Sequence, residues 1–330
     1  MRPIAAVLLL GACAADVEVR VSSTEQMGVN MQGVNMQGVN MQGVNMQGVN
    51  MQGFALDGLT LTSAPLSNAR VAKGELVANR PNGSTVSGTA MTGARLFAHG
   101  VDASGATRVV EYRIAAVTAE SASYDPTRTG NTFLYNIEQW VADTSSWQPA
   151  CGPDSDGRRV AIPIAATFDD LGDRHDSSTM FTFGCTTGVI AKCYRWGYRP
   201  WLTGYGAASF SDLHWTCTRA ARADYCGDGT PHTKNGTVVN IWDRLPAPGP
   251  IQKHGLLAPL GMVFEAGWNT SGAVCLSRAR WLLDATLANL CPDRLVPPGL
   301  LGATVCDTVA DVLGQDPNAL LFNESYLNLL

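Results

Sequence analysis

RVVEYRIAAV, residues 108–117, alternates apolar and polar side chains, and the same pattern recurs in TFLYNIEQWV (132–141) and RVAIPIAAT (159–167). Alternation with a period of two, between segments rich in Gly, Asp, Ser or Pro, is typical of antiparallel strands. Further strands are predicted at 180–184, 238–242 and 274–280, and helices at 207–221, 284–290 and 304–313. The sequence therefore predicts a mainly β, α+β fold: a mostly antiparallel β domain with a few helices.

The predicted domain spans residues 99–330 and contains the residue types that build a braced core. All eight tryptophans lie between Trp140 and Trp281, and eight of the nine cysteines also lie in this part of the chain. A segment of this length supports one large core or two small ones. We favour a single disulfide-rich globular domain.

The N-terminal residues resemble an export signal that ends on a cysteine. The apolar run 4–10 follows a positive charge and is too short to span a bilayer. LGAC, residues 10–13, resembles the lipobox of bacterial lipoproteins, whose cysteine becomes the lipidated first residue. We therefore predict a signal peptide (1–12), a lipid on Cys13 and a tether (13–26), in a protein of the bacterial cell envelope. Ala14 follows this cysteine, and an alanine at that position resembles lipoproteins that are sorted to the outer membrane.

The number of cysteines is consistent with that signal. Nine cysteines cannot all pair in disulfides, which is unexpected for an oxidising compartment. Reserving Cys13 for the lipid leaves an even number. The eight disulfide candidates are Cys151, Cys185, Cys193, Cys217, Cys226, Cys275, Cys291 and Cys306. Their connectivity stays open, because eight cysteines allow about 105 pairings.

A five-residue repeat precedes the predicted domain. The unit VNMQG occurs five times in succession over residues 29–53. It resembles the unit of pentapeptide-repeat proteins, which implies a four-sided right-handed β-helix with inward-facing side chains at Met31, Met36, Met41, Met46 and Met51, and at Val29, Val34, Val39, Val44 and Val49. The alternative is an uncharged, glycine-bearing spacer.

The five-residue spacing continues after the identical copies end. Apolar residues keep it at Leu56, Leu61, Leu66, Val71 and Leu76, and then at Val86, Met91 and Leu96. We therefore predict five-residue repeats over residues 27–98, identical at 29–53 and diverged at 54–98. They form either a short β-solenoid or a spacer with a strand-rich end.

Charge and hydropathy exclude several classes of function. The formal net charge is −5 and no basic stripe is present, so no nucleic-acid partner is predicted. No later apolar run is long enough to cross a bilayer, which leaves the lipid as the membrane anchor. No cofactor is predicted, because the chain has no Walker or Rossmann glycine loop followed by a convincing helix.

The densest motif is RADYCGDGTPHT, residues 222–233. With FGC (183–185), KC (192–193) and WGYRPW (196–201), it resembles the ADYC domain family, which is found mainly in envelope proteins of myxobacteria. The resemblance covers residues 85–285 and fits the C-terminal residues least well. It implies no activity, ligand or catalytic residue, because none is established for the family.

The chemistry of this motif leaves several interpretations open. A turn that is held by a disulfide through Cys226 is the structural one, which we favour. A metal site would use His214, Asp224, Asp228 and His232, although their spacing matches no known zinc or calcium signature. An exported hydrolase would use Asp224 and His232 around a serine, or Cys226 as nucleophile with His232 as base. No Gly-X-Ser-X-Gly elbow supports the serine version.

Two further groups offer ligand chemistry. An acidic segment that could gather a cation contains Asp169, Asp170, Asp173, His175 and Asp176. An aromatic platform for a carbohydrate or peptide would contain Trp196, Tyr198 and Trp201. We favour the structural interpretations, a hydrated loop for the first group and core packing beside a disulfide for the second.

Together these features predict an envelope lipoprotein. Its domain would bind or scaffold without catalysis, held off the membrane by the repeat segment. The predicted partners are the membrane and a protein, peptide or glycan ligand. The alternative is an exported hydrolase or metal-dependent enzyme that uses Asp224, Asp228 and His232.

Overall fold

The computed structural model describes residues 38–41, 55–101, 107–120, 132–169, 171–203, 209–233, 237–245, 261–280 and 306–326. The predicted signal peptide, the tether, Cys13, Cys291, Asp170, the helix at 284–290 and most of the identical repeats lie outside these residues. The strands are β1 (Gly38–Met41), β2 (Ala55–Leu61), β3 (Ala64–Ala72), β4 (Glu75–Asn79), β5 (Thr85–Ser87), β6 (Arg95–Val101), β7 (Thr107–Ala119), β8 (Phe133–Val141), β9 (Ser146–Pro149), β10 (Ala161–Ile164), β11 (Ala166–Phe168), β12 (Arg174–Asp176), β13 (Phe181–Cys185), β14 (Val239–Asp243), β15 (Val263–Asn269), β16 (Gly272–Leu276) and β17 (Leu321–Ser325). The helices are α1 (Val189–Arg195), α2 (Phe210–Arg222) and α3 (Val309–Gln315), with a 3₁₀ helix at Gly88–Met91.

The strands form a large sheet and a smaller one. The large sheet has 11 strands in the order β1-β13-β10-β8-β7-β6-β2-β3-β4-β5, with β9 paired to β8. The smaller sheet has four strands in the order β14-β17-β15-β16, and β11 and β12 form a separate pair. Neighbouring strands run antiparallel in every recorded pair, for example β7 with β8 and β15 with β17. The predicted mainly antiparallel β fold is confirmed.

For the part of residues 54–98 that the structure describes, the solenoid interpretation of the diverged repeats is wrong, whereas the alternative of a strand-rich end agrees with the strands found there. Strands β2 to β5 are antiparallel members of the large sheet, joined to β7 through β6, and not coils of a solenoid. Leu76, Val86 and Met91 belong to the same hydrophobic core as Tyr112 and Phe183. Residues 55–98 therefore pack with the globular fold, and the predicted domain boundary at residue 99 falls inside that fold.

Two-residue turns explain why a five-residue spacing arises from hairpins. Leu59 pairs with Leu66 across the first turn, so Leu61 and Leu66 lie on one face of the sheet although they are five residues apart. Val71 pairs directly with Leu76 across the second turn. Paired residues share a face in antiparallel strands, and a bulge in β3 shifts the parity between the two turns. The apolar phase was real, but its cause is hairpin geometry.

Helix α2 is the hub of the second half of the fold. The side chain of Ser209 caps its N-terminus by accepting a hydrogen bond from the Asp212 amide, and Arg219 and Arg222 occupy its last turn. It was predicted at 207–221 and is found within one to three residues of those limits. Its buried side packs with the smaller sheet in a core that contains Leu213, Trp268 and other apolar residues.

Three disulfides join pairs of cysteines that both lie in the described ranges. Cys151–Cys185 ties the segment after β9 to β13, Cys193–Cys217 joins α1 to α2, and Cys275–Cys306 joins β16 to the segment before α3. Cys226 is disulfide-bonded as well. Cross-links over loops of this length are worth about 3 kcal/mol each in the entropic account.

Within the described ranges, no helix has both the length and the apolar character to cross a bilayer.

Replacing Leu76 by alanine tests the place of residues 55–98 in the fold. Leu76 is fully buried, so Leu76→Ala is expected to lower the free energy of unfolding by about 2–5 kcal/mol. Urea unfolding followed by tryptophan fluorescence measures it, because all the tryptophans lie beyond residue 139. The control is Leu171→Ala, at a leucine that is 53% exposed. A tryptophan transition unchanged by Leu76→Ala would contradict the shared core.

Candidate functional site

The ADYC tetrapeptide begins where α2 ends. Ala223 adopts φ 53° and ψ 42°, the left-handed conformation that closes a helix. Its amide donates to the Ala220 carbonyl and the Asp224 amide donates to the Arg219 carbonyl, which is the Schellman pattern. The methyl group of Ala223 is fully buried, so a small side chain fits this position. The turn directs Asp224 and Tyr225 into the core and leaves Cys226 partly buried against it.

Asp224 is held by a buried arginine. The Arg219 guanidinium donates to the Asp224 carboxylate at 2.5 Å, and both side chains are almost fully excluded from solvent. The same guanidinium donates to the Leu171 carbonyl, the Thr270 carbonyl and the Asp173 carboxylate. Buried charges persist when they are paired and hydrogen-bonded, and Arg219 together with the Gly229 amide meets that requirement at Oδ2 of Asp224, while Oδ1 is buried without a hydrogen-bond partner. Arg219 therefore links α2 to three separate segments, at residues 171–173, at Thr270 and at Asp224.

Tyr225 lies at the centre of a second buried cluster, which we call the Tyr225 centre: Tyr225, Glu265, Trp268 and Arg280. The tyrosine hydroxyl donates to the Glu265 carboxylate at 2.9 Å and accepts from the Arg280 amide at 2.9 Å. The Arg280 guanidinium donates to both Glu265 oxygens, at 3.0 and 2.9 Å. The Tyr225 ring stacks on Trp268 with the centroids 5.3 Å apart.

Ionisation in the Tyr225 centre follows from these contacts. Burial alone would raise the pKa of the Glu265 carboxyl, but the charge and hydrogen bonds of Arg280 bring that pKa below its ordinary value. Burial, with the adjacent Glu265 charge, raises the pKa of Tyr225 well above its usual range. The centre is therefore a buried ion pair with a neutral phenol, and its polar side chains hydrogen-bond to one another.

The remaining residues of the motif do not converge on a reaction centre. Cys226 is disulfide-bonded, which removes it as a nucleophile. The Asp228 carboxylate accepts from the Thr230 amide at 2.8 Å in a local turn. His232 is buried, and its ring lies 5.7 Å from that of Tyr225.

The described residues contain no group of three or more His, Cys, Asp or Glu side chains that could hold a metal ion. Asp224, Asp228 and His232, which are all described, thus fail to form the metal set predicted as an alternative. The hydrolase alternative needs its acid and base on one accessible floor, whereas the Asp224 carboxylate is fully buried against Arg219.

His214, also considered as a metal ligand, is a core residue between the two helices. Its Nε2 lies 2.9 Å from the Ile190 carbonyl and its Nδ1 lies 2.9 Å from a guanidinium nitrogen of Arg174. A carbonyl only accepts and an arginine only donates, so Nε2 carries the proton and Nδ1 offers its lone pair. Burial, with the charge of Arg174, lowers the pKa of His214 to about 3.

The acidic segment is divided among separate partners. Asp169 accepts from the Asp173 amide at 2.8 Å and lies 3.0 Å from the His175 ring. Asp173 faces Arg219, as described above. Asp176 accepts two hydrogen bonds from Arg174, at 2.8 and 2.6 Å. The described members of this segment are used one by one, in a turn and in ion pairs.

The aromatic group splits in the same way. Tyr198 is fully buried, with a side-chain hydrogen bond to Asp243, and Trp196 is half-buried against the core around α2. Trp201 lines an open cleft. The predicted three-residue platform is not formed, and a single tryptophan is left facing an open space.

That cleft has a volume of about 420 Å³ and is bounded by Lys73, Arg174, Asp176, Tyr194, Trp201 and Ser211, among others. Its walls come from the β3–β4 turn, from β10 and β12 and from the N-terminal turn of α2. The volume is within the range of natural small-molecule sites. Sequence reasoning missed the cleft because its walls are distant in the chain, and of its lining residues only Asp176 and Trp201 were singled out as candidate ligand-binding residues.

Comparisons with known proteins agree with the motif. A model of the ADYC domain matches residues 88–282, which is more than half of the chain. A model described as "Pentapeptide repeats (8 copies)" matches residues 28–53, the part of this chain that holds its five identical units. No curated protein and no solved structure matches the chain.

Removing the Tyr225 hydroxyl tests the centre as a structural element. Tyr225→Phe leaves a buried carboxylate oxygen of Glu265 without its phenol donor and the Arg280 amide without its acceptor. The free energy of unfolding is expected to fall by about 1–3 kcal/mol. Urea denaturation measures it, with Thr144→Ala, at an exposed hydroxyl, as the control. Wild-type stability in Tyr225→Phe would show that these bonds are dispensable.

His214 predicts a dependence of stability on pH. Its folded pKa of about 3 lies below the ordinary value of 6.5, so the unfolded chain binds the additional proton between those values. The contribution is complete above pH 6.5 and is lost as the pH falls towards 3. The slope approaches about 1.4 kcal/mol per pH unit. Unfolding curves at about pH 7, 6 and 5 measure this slope. His214→Gln is expected to flatten the slope, and an equal slope in both proteins would refute the assignment.

Proposed function

The chain belongs to the ADYC domain family, and on that premise we propose that it is an exported lipoprotein that binds a ligand without chemical turnover. In this proposal a lipid on Cys13 holds it at a bacterial membrane, with the outer membrane as the destination. The repeat segment provides distance from the membrane. The disulfide-braced domain provides the binding surface.

The observation that carries this proposal is the state of the cysteines. Every cysteine that the structure describes is disulfide-bonded, namely Cys151, Cys185, Cys193, Cys217, Cys226, Cys275 and Cys306. Disulfides on this scale form and persist outside the reducing cytoplasm. The disulfides therefore favour a location outside the cytoplasm, which the protein would reach by export.

Counting the cysteines supports lipid attachment at Cys13. Seven bonded cysteines need an eighth, and the sequence offers Cys13 and Cys291. Within the proposal Cys291 completes the set and Cys13 remains at the end of its lipobox. Two or more acyl chains on such a residue give stable anchoring, where a single chain gives only marginal binding.

A binding role is favoured over a catalytic one by the distribution of polar groups. The carboxylates and guanidinia of the Tyr225 centre and of Asp224 are buried and paired with each other. The open cleft combines aromatic and apolar walls with a few polar groups, which is the usual composition of a ligand site. The lining residues that the structure describes include neither histidine nor cysteine.

Replacing Cys13 by serine tests the anchor. Full-length protein is expressed in a Gram-negative host with a labelled fatty acid, and membrane and soluble fractions are compared. The wild type is expected in the membrane with label. Cys13→Ser is expected to carry no label. Once its signal peptide is removed, it is expected in the soluble fraction. Label and membrane retention in Cys13→Ser would refute lipidation at this residue.

A thiol count provides an independent control on the same samples. Alkylation of the denatured, unreduced wild type followed by mass spectrometry is expected to find no free thiol. A free thiol at Cys13 with full membrane retention would point to another mode of attachment. Equal melting temperatures of wild type and Cys13→Ser would show that the substitution acts on the anchor and not on the fold.

A further inference from the structure

The cleft defined above has one rigid aromatic wall. The Trp201 indole donates from Nε1 to the Tyr194 hydroxyl at 3.1 Å, which fixes the orientation of the ring. The β3–β4 turn lies directly against this pair. A Cβ at Gly74 would be 2.0 Å from the Tyr194 oxygen, and the φ of +80° also disfavours side chains there. The aromatic wall is therefore held in position before any ligand arrives.

A second part of the lining is polar and is held by hydrogen bonds. Asp176 accepts from Arg174 through one carboxylate oxygen and from the Ser211 hydroxyl through the other. Its side chain is nevertheless 59% exposed, so the carboxylate still faces solvent. A carboxylate offers about four acceptor positions, and these contacts use three of them. Ser177, also in the lining, accepts from the Met180 amide at 2.9 Å, which leaves its hydroxyl proton for an outside acceptor.

We propose that this cleft binds a neutral pyranose sugar, as a free saccharide or as one residue of a glycan. The apolar C–H face of such a ring packs against the Trp201 indole. Its hydroxyl groups donate to Asp176 and accept from Ser177 and from the ammonium group of Lys73. This inference deepens the proposed binding role by naming the ligand class.

The mixture of walls favours a sugar over other ligands. A purely apolar molecule would displace water from the exposed Asp176 carboxylate and would offer no partner to its remaining acceptor position or to the Ser177 hydroxyl proton, which costs free energy. An anion would meet the exposed Asp176 carboxylate, and of the two cations in the lining Arg174 is buried and already paired with that carboxylate, which leaves only Lys73 to attract it. An extended peptide is bound most readily by an open strand edge, whereas this space is a cleft bounded by a turn and helix ends. A pyranose offers one apolar face and a rim of donors and acceptors, which matches both walls.

The test uses the full-length protein in a detergent that carries no sugar head group. Glucose, N-acetylglucosamine and its β-1,4 disaccharide are titrated by calorimetry and by saturation-transfer NMR. Glucuronic acid and trialanine represent the acidic and peptide alternatives. At least one of the three neutral sugars is expected to bind, with saturation transfer strongest at the ring C–H protons. Trp201→Ala is expected to weaken binding by about tenfold or more, and Trp201→Phe by only about threefold.

Two further variants make the outcome decisive. Asp176→Asn keeps the shape of the side chain and is expected to weaken binding, whereas Trp140→Ala removes a tryptophan that is 38% exposed and outside the cleft lining and is expected to have no effect. If Trp201→Ala lowers the melting temperature, the comparison of Asp176→Asn with Trp140→Ala decides. No binding of any neutral sugar, a preference for trialanine or glucuronic acid, or equal affinity in the cleft variants and Trp140→Ala would overturn the proposal. Such a failure would leave the lipid-anchoring result untouched.

Discussion

The Glu265 carboxylate has no access to solvent, and the second half of the fold depends on how its charge is compensated. Arg280 forks across it, and the same guanidinium reaches the carbonyls of Ala220 and Ala221 at the end of α2. Tyr225 completes the arrangement through its hydroxyl. Losing one partner of such a buried pair typically costs about 3–5 kcal/mol, far more than the intact pair contributes over an apolar substitute. The pair thus dictates where the sheet, the helix and the motif must meet.

Helix α2 transmits that constraint to the cleft. Its C-terminal end is fixed by the Tyr225 centre and its middle is cross-linked to α1 through Cys217 and braced by His214. Its first turn then presents Ser211 to Asp176 at the cleft wall. A binding site built on a rigid element holds its polar groups in place more accurately than one built on loops. The buried motif and the exposed cleft are therefore two ends of one structural unit.

The parts of the fold that sequence reasoning predicted are those with a local physical signal. Alternation identified β7 and β8, and small and apolar residues located α2. The hairpins of β2 to β4 escaped because their turns lack the usual Asn-Gly signature: Thr62 and Ser63 adopt positive φ without glycine, and the next turn uses Lys73 with Gly74. The Glu265–Arg280 pair and the cleft depend on contacts between segments that are distant in the chain, so no local sequence pattern predicts them.

Strand β1 comes from one of the identical repeats and pairs antiparallel with β13 at the edge of the large sheet. Its four residues, GVNM, occur five times in the chain at a constant interval. A displacement of the chain by one repeat therefore offers the edge the same backbone and the same side chains. Five extended residues span about 17 Å. Pairing displaced by one repeat would therefore leave the paired sequence unchanged and would lengthen or shorten the chain that precedes it by one unit of VNMQG.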